Sequence, residues 1–168
     1  MNSEKGKVNS EKIMKTENDA YLTLAALCAQ AEDCQYEMLE KMRRWEVPED
    51  AQARVMARLI KERYVDDERY AQAFVKDKIR YNKWGRRKVE QALWQKHIGE
   101  DIRNRVLDEV DDEEYLSILR PLLKQKRKTI KANSDYELNQ KLMRFAVGRG
   151  FTFDIIRQCI DVEEDELV

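Results

Sequence analysis

From Asn18 onward the apolar residues recur at spacings of three and four, the pattern of helices that bury one face. Tyr21, Leu24 and Leu27 form the first such face. Asp33 precedes a helix carrying Met38, Leu39 and Met42. Pro48 suits a first helical turn, and Glu49 and Asp50 favour the N-terminus of a helix with Val55, Leu59 and Ile60. Asp66 is placed to cap a helix whose body runs from Arg69 to Arg80, and residues 82–85 break it. Gly99 separates the helix of Val89 and Leu93 from that of Ile102 and Val106. Asp111 or Asp112 caps a long helix expected to be interrupted or kinked at Pro121, whose missing N–H frees a carbonyl one turn back. Ser134 or Asp135 caps the helix of Leu138, Leu142 and Phe145, Gly148 and Gly150 end it, and Thr152 opens a last helix with Ile155 and Ile156. The expectation is an all-α chain of about nine short helices. Residues 1–17 are polar without apolar period and read as a disordered arm.

The pattern repeats. Met38, Met42, Val47, Ala51 and Val55 correspond, at a constant offset of 51, to Val89, Leu93, Ile98, Ile102 and Val106. A further offset of 53 gives Leu142, Ala146, Phe151, Ile155 and Cys159. Each copy is a helix, a tight turn with one apolar plug, and a second helix. The helix before each pair repeats too: DDERYAQAF from Asp66 resembles DDEEYLSIL from Asp111, with ENDAYLTLA from Glu17 a looser copy. These phases predict three tandem three-helix repeats with a helix-turn-helix look, at 18–65, 66–110 and 111–161, and an acidic tail at 162–168. A unit of that size cannot bury a sufficient core alone, so neighbours should stack into an elongated, curved array with a long face for a partner.

Composition supports a helical chain, since 168 residues hold only 5 Gly and 2 Pro. Charge changes the picture more. The net charge of -1 hides opposed patches. Residues 76–96 hold a surplus of six positive charges, and 120–131 hold six basic residues with no acid. Asp108 to Glu114 form an acidic joint. Basic groups interleaved with Tyr81 and Trp84 suit phosphate or acidic protein surfaces. The candidate contact residues are Lys76, Arg80, Lys83, Arg86, Arg87 and Lys88, with Lys124, Arg127, Lys128 and Lys131 as a second patch; the plain alternative is a solvated face.

Catalytic chemistry finds little footing. His97 is the only histidine, read as a partly packed residue at a helix end, with no nucleophile set around it. Cys28, Cys34 and Cys159 form no CxxC pair and read as small buried hydrophobes, with Cys34 placed near an exposed turn. Asp66, Asp67 and Glu68 are adjacent and point apart, so capping explains them better than a metal does. No enzyme activity, metal or cofactor is expected. No apolar stretch is long enough to span a bilayer and the first residues lack a secretory core, which predicts a cytoplasmic protein.

The stretch from Arg63 to Ile98, RYVDDERYAQAFVKDKIRYNKWGRRKVEQALWQKHI, resembles the central part of RecX proteins, with Asp-Asp-x-Arg-aromatic-Ala, a basic helix, Gly, and an apolar helix ending near Lys-Gly-Ile. RGF at Arg149 to Phe151 is similar to the family's third unit, and the likeness covers about residues 18 to 161. Arg63 replaces the glycine usual before the central aromatic, and His97 replaces the glycine of Lys-Gly-Ile. The resemblance implies a bacterial regulator, a monomer without cofactor, that binds RecA and the RecA–DNA filament and modulates, mainly inhibits, its ATPase, recombinase and coprotease activities. The alternative is a helical-repeat module that binds DNA independently of RecA.

Overall fold

The computed structural model describes residues 15–160. The acidic tail and most of the N-terminal arm lie outside the described residues. The arm's last residues belong to the fold instead: Thr16 caps the first helix by accepting the Asp19 N–H at 3.1 Å, and Glu17 is its first helical residue.

Every regular element among the described residues is a helix, as the periodicity predicts: α1 (Glu17–Gln30), α2 (Gln35–Arg44), α3 (Glu49–Lys61), α4 (Asp67–Arg80), α5 (Arg86–Gln95), α6 (Glu100–Asp108), α7 (Asp112–Arg127), α8 (Asp135–Gly148) and α9 (Phe153–Arg157). None is long and apolar enough to cross a membrane. The chain divides into two compact units, one ending at Tyr70 and the other beginning at Ala71. In the first, α1, α2 and α3 enclose Leu24, Met38, Met42 and Leu59, all wholly buried. In the second, Leu93, Ile98, Leu107, Leu116, Leu119, Leu142, Phe151 and Ile156 are buried to the same degree.

One turn recurs at the end of α2, α3, α5 and α8. Val47, Tyr64, Ile98 and Phe151 each donate a backbone N–H to the carbonyl five residues back, at 2.9 to 3.2 Å, and the preceding residue donates to the carbonyl three back. This is the Schellman closure, which uses the last helical carbonyls and brings an apolar side chain back onto the helix. Its penultimate residue adopts the left-handed conformation: Glu46, Arg63, His97 and Gly150 have φ of 54°, 62°, 57° and 91°. Val47, Ile98 and Phe151 are the apolar plugs of the three repeated helix pairs, and all are buried.

Three local expectations are corrected. α7 continues through Pro121, so the proline does not interrupt it, the alternative expected beside a kink. Tyr115, Leu116, Leu119 and Leu123 bury the opposite face, while Pro121 and Ser117 are exposed, so the carbonyl that Pro121 cannot satisfy faces solvent. Cys34 is wholly buried rather than exposed, because it is the residue from which α2 starts inward. His97 is exposed at its turn rather than partly packed.

Candidate partner-binding surface

The acidic motif at the start of α4 is structural in this chain. Asp66 accepts the N–H groups of Glu68 and Arg69 at 2.9 and 3.0 Å, capping α4. Asp67 accepts the backbone N–H of Gln35 at 2.9 Å, so it serves the N-terminus of α2. Burial pushes the Asp67 carboxyl above the usual aspartate range, while the Gln35 N–H works against that shift. Arg69 Nε lies 2.7 Å from both carboxylate oxygens of Glu32, and Arg69 Nη2 donates to the carbonyls of Arg63 and Tyr64. The motif thus ties the α1–α2 loop, the turn after α3 and the first turn of α4 into one joint.

The basic candidates divide by what they already touch. Arg86 is half-buried and donates to Asp108 at 2.7 Å. The Arg87 guanidinium stands 5.1 Å over the Phe153 ring, and its backbone N–H donates to the Gly150 carbonyl at 3.0 Å. Lys88 Nζ lies 4.9 Å over Trp84, which also receives Lys78 at 5.2 Å. Arg86 thus ties α5 to α6, Arg87 ties it to α9, and Lys88 ties it to the α4–α5 loop. Lys76, Arg80, Lys83, Lys124, Arg127, Lys128 and Lys131 are exposed, and among the described residues none has a side-chain ion pair or hydrogen bond. They are the basic candidates that the described residues leave unengaged.

The structure also joins the two basic runs. Lys126 Nζ and the Arg149 guanidinium lie 5.1 and 5.3 Å from the centre of the same Phe145 ring. Arg149 Nη1 then reaches the Asn82 carbonyl, next to Lys83, at 3.3 Å. Below it the backbones interlock, with Gly85 N–H donating to the Arg149 carbonyl at 2.8 Å. A cationic path leads from the end of α7, over Phe145 and Arg149, to the loop after α4. Arg149 and Phe145 escaped the sequence reading as contact residues because neither lies in a basic run; the RGF motif marked only a turn.

Comparisons with known proteins cover this surface and most of the chain. Residues 66–107 match "RecX, second three-helix domain", and residues 112–160 match "RecX, third three-helix domain". Together the matches cover more than half of the chain. The chain belongs to the RecX family. A "Regulatory protein RecX" from Lactobacillus gasseri is 31% identical over 93% of this chain and 59% of its own length. One from Bacillus cytotoxicus is 25% identical over 88% of this chain and 54% of its own, and one from Clostridium perfringens is 28% identical over 91% and 70%. The chain thus spans little more than half the length of the first two relatives. Two solved structures share the fold at 19% identity: RecX from Lactobacillus salivarius (TM-score 0.77, 90% of this chain and 97% of that one) and a regulatory protein RecX (0.79, 87% and 73%). The RecX relatives are named as regulatory proteins.

Proposed function

We propose that this protein binds the RecA filament on DNA through the joined basic surface and modulates, mainly inhibits, RecA's ATPase, recombinase and coprotease activities. The observation that carries the reading is the set of seven exposed cations without partners, on a chain of the RecX family. A filament presents the same acidic or phosphate-bearing surface at each repeat. Several weak contacts along it act together, so each can be modest while the whole is effective. The three-helix repeats at 18–65, 66–110 and 111–161 are the units we propose for stacking along that surface, in a cytoplasmic monomer that needs no cofactor and catalyses no reaction. The test is the ATPase rate of RecA from the same organism on single-stranded DNA, with the protein titrated in at low and moderate salt. A fall at substoichiometric protein supports the reading. No change, together with salt-sensitive binding to bare DNA, favours the second reading, a DNA-binding module independent of RecA, for which the same cations would serve.

A further inference from the structure

Trp94 is an anomaly of α5. Val89 and Leu93 bury one side of that helix, whereas Trp94 keeps 64% of its surface exposed on the other. An indole offers a large apolar area, and a single exposed apolar residue is ordinary. The surroundings of this one are not. Two shallow, open hollows, of about 510 and 310 Å³, share Trp94 and Arg103 in their lining. The Ile98 side chain is buried and only floors the larger hollow, and Arg87, stacked on Phe153, borders the smaller. Arg103 is held in position from α6 by donating through Nη1 to the Ile98 carbonyl at 2.7 Å. An exposed indole with a fixed arginine beside it has the composition of a binding hot spot.

We propose that this face of α5 and α6 docks a protein partner, taking an extended segment whose apolar side chain packs against Trp94 and whose neighbouring carboxylate meets Arg103. Charge selects a peptide over a nucleic acid here. Glu90 lines the smaller hollow, and Glu100 and Asp101 open α6 one turn before Arg103. A polyphosphate backbone laid across the face would meet Glu90 and approach the acidic start of α6, whereas one acidic side chain needs only Arg103. The face is separate in character from the basic surface around Phe145 and Arg149. Each supplies what the other lacks, long-range attraction there and apolar anchoring here. The proposal deepens the RecA reading and rests on it for the identity of the partner.

The experiment measures binding of the wild-type chain, Trp94→Ala and Tyr136→Ala to RecA filaments from the same organism and, separately, to bare single-stranded DNA. Tyr136 is a control of matching exposure, at 63%. Because Trp94 is exposed, Trp94→Ala should melt as the wild type does. The expected result is RecA binding at least about tenfold weaker for Trp94→Ala, with DNA binding unchanged and Tyr136→Ala like wild type. Equal RecA binding by Trp94→Ala and wild type overturns the docking face and leaves the RecA reading standing. Loss of bare-DNA binding by Trp94→Ala assigns the face to nucleic acid and overturns the proposal. Failure of the wild type to bind RecA overturns both.

Discussion

The backbone of Gly85 rests directly on that of Phe151: a Cβ at Gly85 would lie 2.3 Å from the Phe151 nitrogen and 2.4 Å from its Cα. Both neighbours are main-chain atoms of the buried turn between α8 and α9, so neither can swing aside. Gly85→Ala should therefore lower stability by about 3 kcal/mol or more, through displacement of that turn. Gly99 is the control, since it also precedes a helix but has nothing within 4 Å of its Cβ position. Gly99→Ala should change stability by less than about 1 kcal/mol. Thermal or urea unfolding of the two variants checks the contrast.

Arg63 carries a φ of 62°, in a turn whose geometry suits glycine. The left-handed conformation costs a side-chain-bearing residue about 1–2 kcal/mol, part of which glycine gives back through its freer unfolded chain. The Arg63 side chain is exposed, and the turn's interactions run through its backbone, including the carbonyl that accepts from Arg69. Arg63→Gly should stabilise the protein by about 0.5–1 kcal/mol, read as a rise of a few degrees in Tm. A fall in Tm would show that the side chain contributes more than the turn loses.

Asp33 sits just before the start of α2, where burial first, and then its hydrogen bond and repulsion with Glu37, push its carboxyl up to about 6. A carboxyl that holds its proton more tightly when folded adds stability below the ordinary aspartate range. That contribution is lost as pH rises through about 6. Asp50 and Glu62, held below their usual ranges, run the opposite way, so the wild-type profile is a mixture. The comparison with Asp33→Asn isolates the term. The variant should gain stability relative to wild type between pH 4.5 and 7, about the window the shift defines, seen as a rising difference in urea midpoint.

The repeat was legible because its signal is local. Val47, Ile98 and Phe151 stand at offsets of 51 and 53, and each closes a turn of the same kind, since an apolar residue two beyond a helix end is drawn back onto that helix. Left-handed residues without glycine were hardly legible: Glu46 carries no mark of the conformation it adopts, and Arg63 and His97 are marked only by the glycine that RecX proteins usually have there. Pro121 misled for a related reason, because whether proline breaks a helix depends on whether the carbonyl it strands is wet. The basic runs could be read as charge, but not which cations were already engaged. Arg86 looks like its neighbours in sequence, and only the approach of Asp108, 22 residues away, sets it apart. The joining of the runs through Arg149 and Asn82, 67 residues apart, is a tertiary fact that no local pattern carries.

The division between engaged and available cations has its own consequence for mutation. Lys124, Arg127 and Lys128 are exposed and make no ion pair among the described residues, so reversing them to Glu should leave the melting temperature nearly unchanged. Arg86→Glu would instead set a carboxylate beside Asp108 and lower it. Function should respond in the opposite order. At low salt the triple reversal should need at least about tenfold more protein to halve the RecA ATPase rate, since the attraction that gathers the protein onto an anionic filament is lost. Raising the salt should weaken the wild-type effect and change the variant little, because screening removes what the variant already lacks. If bare DNA is the target, each lost phosphate contact should also cut the slope of log affinity against log salt by about 0.7–0.9. Inhibition equal to wild type at low salt, from a triple variant that folds normally, would remove the end of α7 from the binding surface.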